Sequence, residues 1–526
     1  MVNLLTDTVI PVVRQDGSHD TISVSQLAET ANPVMQLAWP RSDLRNATME
    51  FLIGVMTTAL NPTSELAWKY HMENRLSVSE LKDKLASLVP FFNLDGSGPR
   101  FMQDHDPHMT GTFNPISSIL IDTPGENTKK NNADVFIKRE ENDFFGPAAA
   151  GFALYALQTF APSGGQGNRT GYRGGGPLTT IVYPRDADLL ATLLANISTH
   201  PKIKAADYPL IFPWLAPTIT SEKGKAPLKH IHKLQVYFAM PRRIRLEFAN
   251  QTGSCAITGE QTNRGVVGWT QKNYGVDYIH CKIAHQHPLT PHFDCKNQLL
   301  AVHAKLDNSG WDDYLGLVVN DTSAKRSPAS NVAAYRKLSN APIARLHASG
   351  YAMDNMKVLD YVEQDMPLPG YLDAQDQEEF WHQDSDLGAK ATLWVRTDGA
   401  ADEIVLPKRR DFADFDLRMA EVLTTLAKTE ARSQLDILRD VQTASADLVR
   451  LRAPARDAVD GSLAIEAAVS FVESARDLML AAACAAIDKR SYFATRKAET
   501  HTAAVLAVRR KAEIIHLPGK TDDISG

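Results

Sequence analysis

The sequence predicts an α+β protein in two parts, a large mixed domain over residues 1–375 and a C-terminal four-helix bundle over residues 376–526. Three observations predict this. The chain has 526 residues, enough to bury more than one core. In the first part, strand-like runs such as Thr179–Tyr183 are interspersed with helix-like runs such as Pro147–Phe160. From about Asp384 the composition shifts to Ala, Leu, Arg, Asp and Glu, and apolar residues recur every three to four positions over Leu417–Leu451, Leu463–Ile487 and Ala498–Ile515. A shorter helix near Asp386–Val395 completes the four.

In chain order, Asn3–Val13 reads as an edge strand because Pro11 lies near its end, Asp16-Gly17 as a turn and Thr21–Val24 as the returning strand. Ser42 is placed to cap a helix carrying Leu44, Phe51, Leu52 and Val55 at helical spacing, and Ser77 with Glu80 forms a capping box ahead of Leu81, Leu85 and Leu88. Residues Pro124–Asn142 are polar and charged apart from Val135-Phe136-Ile137, a composition that buries too little to fold alone. Phe136 within it is either a hydrophobic tether or a platform for a base. Asp188–Ile197 reads as a short helix, and LQVYFAM after Pro209 as β-like. Arg242, Arg243 and Arg245 that follow read as a solvated face or, less readily, a phosphate contact.

The functional weight falls on Ala161–Thr180, which holds seven glycines with Arg169 and Arg173 among them. So many glycines lose more backbone entropy on ordering than packing alone repays, whereas a backbone free to visit φ > 0 can bring its N–H groups close to something anionic or flat. The plainer alternative is a long connector.

Composition bounds the rest. A net charge of -6 advertises no general affinity for nucleic acid, so any such contact must rest on a local patch. Four scattered cysteines argue against a disulfide framework and for a reducing compartment, and no apolar run reaches spanning length, so a cytoplasmic protein without a membrane partner is expected. His280, Cys281, His285, His287, His292 and Cys295 crowd into sixteen residues, but Pro288 and Pro291 interrupt them and no Cys-x2-4-Cys pair exists. Loop histidines are expected there rather than zinc. Phosphate-loop, dinucleotide, zinc-protease and serine-hydrolase signatures are all missing, and the acidic pairs Asp312-Asp313 and Glu378-Glu379 are adjacent and point apart. The chain therefore reads as no enzyme and as needing no cofactor.

Several stretches together resemble one family, the large subunit, CasA, of the type I-E CRISPR surveillance complex Cascade. They are NLLTDTVIPV at Asn3–Val12, Phe101-Met-Gln103, the AP…GG-x-G and YRGGGPLTT parts of Ala161–Thr180, the Trp311 segment, and Gly350-Tyr351 before a polar turn. The resemblance implies a subunit that reads the short motif flanking a double-stranded DNA target while a guide CRISPR RNA, held by other Cascade subunits, reads sequence by pairing. It also implies recruitment of a nuclease-helicase. In the family a glycine loop, a lysine and an amide-bearing wedge meet the minor groove. Carried over, the loop falls on Gly165, Gln166 and Gly167, with Gln166 departing from an all-glycine run and bearing on which motif is tolerated. The lysine falls on Lys272 in GWTQKNYG, with Asn273 its neighbouring alternative, and the wedge on Asp354 and Asn355, flanked by Met353 and Met356. Phe136 matches the residue that contacts the guide's 5′ handle. Of the paired cysteines that hold zinc in some members only Cys255 is present, which implies that this zinc is absent. Two other readings stay open: an enzyme whose glycine loop binds a nucleotide phosphate, and a purely architectural adaptor.

Overall fold

The computed structural model describes residues 1–123, 144–164, 167–222, 231–279, 281, 285–306, 314–318, 325–338, 344–354 and 357–368, with 394–397 and 402–405. Of the expected C-terminal bundle only 394–397 and 402–405 are described; the rest of it, with Cys484, Asp312-Asp313, Glu378-Glu379 and the Trp311 segment, lies outside the described residues. Within them, helices and antiparallel strands alternate around one apolar core.

Two helices form its centre. Helix α1 (Ser42–Leu60) and the later α4 (Pro147–Phe160) pack against each other. Pro147 opens α4 where a missing N–H costs nothing, and every residue from Ala149 to Phe160 is buried, as an all-round apolar helix requires. Phe51 of α1 sits edge-on to Phe92, Phe101, Phe152 and Tyr155, the geometry favoured by ring quadrupoles. Helix α2 (Glu65–Glu73) follows α1, and α3 (Val78–Leu85) starts at the expected capping box, Ser77 Oγ accepting from the Glu80 amide at 3.3 Å while Glu80 Oε2 accepts from the Ser77 amide at 2.8 Å. Helix α5 (Leu189–Ala195) is capped by Asp188.

The strands surround this centre. Sheet order β2-β1-β3 joins β1 (Ile10–Arg14), β2 (His19–Ile22) and β3 (Val34–Leu37); order β4-β9-β6 joins β4 (Thr112–Pro115), β6 (Arg243–Ala249) and β9 (Gly265–Lys272). Strands β7 (Gly253–Ser254) and β8 (Gln261–Thr262) pair, as do β10 (His292–Cys295), β11 (Gln298–Ala301) and β12 (Arg326–Ser327) in order β11-β10-β12. A further sheet has order β14-β13-β5, from β5 (Thr179–Pro184), β13 (Ala344–Asp354) and β14 (Lys357–Leu368). Strands β15 (Trp394–Thr397) and β16 (Asp402–Val405) form a separate hairpin.

Five expectations are corrected. Strand β1 is central, not an edge; Pro11 is tolerated because its ladder with β3 begins at Val12, and its carbonyl accepts from Ala38 at 2.8 Å beyond that ladder's end. Arg41, not Ser42, is the N-cap of α1; Ser42 Oγ donates instead to Glu363 at 2.7 Å. LQVYFAM enters a 3-10 helix, Lys233–Tyr237, because a fully buried apolar run carries no period to separate strand from helix. Trp394 and Val395 belong to β15 rather than to a helix, the branched and aromatic residues of Trp394–Thr397 favouring a strand locally. The arginines after Met240 are neither a solvated face nor free for phosphate. Arg243 Nε meets Asp104 Oδ2 at 2.6 Å, Arg245 Nη1 donates to the Asp104 carbonyl at 2.8 Å, and Arg242, pulled down to about 10 by lost hydration, donates to the Pro162 carbonyl at 2.5 Å.

Candidate nucleic-acid interface

The glycine-rich stretch is a strap between two strand ends. It leaves α4 at Phe160 and turns back on it, the Gly171 amide donating to Ala161 at 3.3 Å and the Gly176 amide to Phe160 at 2.9 Å, before entering β5. Its outer part reaches the end of β9. Gly167 has φ +79°, a conformation that L side chains rarely adopt, and a Cβ there would stand 2.8 Å from Asn273 Cβ and 3.0 Å from the Tyr274 amide nitrogen. That amide donates to the Gly167 carbonyl at 2.9 Å. Asn168 Oδ1 accepts from Gln271 Nε2, and Arg169 meets Ser221 Oγ at 2.9 Å and Asp277 at 3.8 Å.

Its inner part meets β13. Gly176 has φ +63°, and a Cβ on it would lie 2.2 Å from the Tyr351 carbonyl oxygen and 3.2 Å from Met353 Cγ. A Cβ on Gly350 would lie 2.6 Å from the Pro177 carbonyl oxygen, so strap and strand touch backbone to backbone.

Arg173 takes no part in an exposed surface. Its side chain is 3 % exposed, its guanidinium donates to Glu50 Oε2 at 2.6 Å and to Thr290 Oγ1 at 2.9 Å, and it lies 5.6 Å from the Phe160 ring centre. The strap is thereby anchored to α1 by a buried ion pair. Burial, then Arg173 and His292, hold the His287 ring well below its ordinary range, so its 4.0 Å approach to Glu50 is that of a neutral ring.

The expected site residues divide as follows. Gly167 and Lys272 are brought together: Lys272 ends β9, paired with Arg243, one residue before the Asn273-Tyr274 turn on which Gly167 rests. Lys272 is half-buried, and its side chain has no hydrogen-bond or ion-pair partner among the described residues. Asp354 is exposed at the end of β13 and paired in register with Lys357 of β14. Gly165, Gln166, Asn355 and Phe136 lie outside the described residues. Sequence reading missed Asn168, Gln271 and Asp277; an Asn or Asp in a glycine-rich context carries no signal of its partner. Of the His and Cys cluster, His280 lies outside the described residues, His287 and His292 are buried and Cys295 is exposed. Among the described residues no three His, Cys, Asp or Glu side chains are placed to hold a metal ion, and no helix is long and apolar enough to cross a membrane.

A strap that presents glycine backbone beside a lysine unpaired among the described residues can press against a groove edge where most side chains would clash, and the lysine can donate to groove acceptors. Comparison with known proteins identifies the family and the fold. A family model described as CRISPR-associated protein Cse1 matches residues 3–485. Cse1 from Thermobifida fusca is similar in structure with a TM-score of 0.70 at 16% identity, over 98% of this chain and 99% of that one. CasA (Cse1) from Thermus thermophilus gives 0.62 at 18% identity, over 98% and 99%. A chain of a CRISPR RNA-guided surveillance complex gives 0.65 at 12% identity, again over 98% and 99%.

Proposed function

The chain belongs to the CRISPR-associated protein Cse1 family, the CasA large subunits, and we propose that in a type I-E Cascade complex it reads the motif flanking a double-stranded DNA target. It does so without catalysis, helps open the duplex for guide pairing, and recruits the nuclease-helicase that acts afterwards. One observation carries the reading: the glycine strap is seated through Gly167 on the turn that follows Lys272, whose ammonium is unpartnered among the described residues.

Each part has a defined task. The backbone from Gly165 to Gly167 approaches the minor groove, Lys272 donates to base acceptors there, and the Asp354-Asn355 end of the β13–β14 hairpin enters beside the first base pair of the target. Phe136 contacts the guide's 5′ handle. The minor groove offers a degenerate acceptor pattern, so such a reader selects a small set of motifs rather than one. The test is titration of the complex reconstituted with guide and partner subunits against motif-bearing duplex, scrambled duplex and free nucleotide. Tight binding confined to the motif-bearing duplex is expected; saturable nucleotide binding without motif preference would replace the reading with that of a nucleotide enzyme.

A further inference from the structure

We propose that Tyr351, Asp43 and Arg41 form a clamp that positions the β13–β14 hairpin for strand separation, an inference that rests on the wedge reading just given. Tyr351 is 2% exposed and stands three residues before Asp354. Its hydroxyl donates to Asp43 Oδ2 across 308 residues of chain. Asp43, 4% exposed in the first turn of α1, takes two parallel bonds from Arg41, Nε to Oδ1 and Nη2 to Oδ2, each 3.0 Å. Arg41 Nη2 also reaches Asp122 at 2.9 Å, so the buried carboxylate is neutralised by a guanidinium that is itself held from outside.

A second tie lies on the partner strand. Ser42 Oγ donates to Glu363 of β14 at 2.7 Å, and Arg45 stands 3.6 Å from the same carboxylate. On the opposite side the hairpin rests on the strap, where Gly176 and Gly350 permit backbone contact. The α1 terminus and the glycine strap thus grip β13 within four residues of its end.

The physical need for such a grip is direct. Unstacking a base step costs a few kcal/mol, and a two-stranded ribbon by itself is marginally stable, so an unsupported hairpin pressed into a duplex bends before the duplex opens. A buried hydrogen bond to a charged acceptor, itself bidentately paired, supplies the stiffness. Tyr351, Asp43 and Arg41 are positioning residues; none need touch DNA.

The test uses the assembled complex with two substrates, an intact motif-bearing duplex and the same duplex already unpaired beside the motif. Tyr351→Phe removes one hydroxyl and keeps the ring. It is expected to weaken binding to the intact duplex at least about fivefold, the lower end of measured couplings between sites, and to leave the unpaired duplex unaffected. Asp122→Asn, which loosens only the exposed end of the chain of bonds, is expected to move the same ratio in the same direction by a smaller factor. An unchanged ratio for both variants overturns the clamp, as does equal weakening on both substrates, which a merely structural hydroxyl would give. Asn355→Ala run in parallel separates the two levels: if it discriminates the substrates and Tyr351→Phe does not, the clamp alone falls; if Asn355→Ala does not discriminate them, the wedge reading falls first.

Discussion

The Tyr274 amide donates to the Gly167 carbonyl at 2.9 Å, so the outer part of the glycine strap takes its position from the end of β9. A side chain at Gly167 meets both the φ +79° backbone and Asn273 Cβ at 2.8 Å. Gly167→Asp is therefore expected to cost roughly 1–3 kcal/mol of local strain and to lower duplex binding for every flanking sequence, its carboxylate also being repelled by phosphate. Thermal unfolding and duplex titration of the reconstituted complex check it; unchanged values in both would reduce the strap to a connector.

The anchor of the strap gives a separate expectation. Glu50, fully buried in α1, pairs with the Arg173 guanidinium, and Thr179 Oγ1 also donates to it. Glu50→Ala leaves a cation buried and unpaired, expected to destabilise by about 3–5 kcal/mol, read as a lower denaturant midpoint. Replacing both partners by apolar residues of similar volume is expected to restore most of that loss, because a buried pair is worth little over good packing.

Stability is expected to fall on mild acidification. Burial first, and Arg173 next, depress both His287 and His292, the latter to about 4. An unfolded histidine binds its proton near pH 6.5 while these folded ones do not, so the unfolded state gains protons as pH drops below that value. Their contribution is complete above about pH 6.5 and is lost progressively as pH falls below it, for His292 down to about 4, at up to about 1.4 kcal/mol per pH unit for each ring. Denaturant midpoints at pH 7.5, 6 and 5 measure the slope, and His292→Gln should flatten it. His347 works in the opposite sense: burial pulls it down, but Asp365 and Glu363 outweigh burial and raise it. Its stabilisation is present below its unfolded value and fades as pH rises through the raised one.

Much of this was legible in the residues themselves. The capping box at Ser77, the proline-led α4, the strand after the strap and the helix capped by Asp188 are local features, and local rules place them. What the sequence hid is long-range. Arg173 looked like an anion contact because nothing near it in the chain reveals Glu50, 123 residues away. Arg243 and Arg245 looked solvated because their alternation is that of a half-exposed strand, while Asp104 lies on a distant turn. LQVYFAM lacked any period because every side is buried. The association of Gly167 with the Lys272 turn came from family resemblance; spacing alone could not give it.

The most direct measurement of the central claim is the binding of the reconstituted complex to a randomised flanking library, wild type against Lys272→Ala. If Lys272 donates to minor-groove acceptors beside the glycine strap, the variant loses roughly 1–3 kcal/mol on the favoured motifs and little on the rest, so the spread between motifs narrows. An unaltered ranking with unaltered affinities, or a uniform loss across all motifs that vanishes at high salt, would contradict base reading by Lys272 and with it the proposed interface.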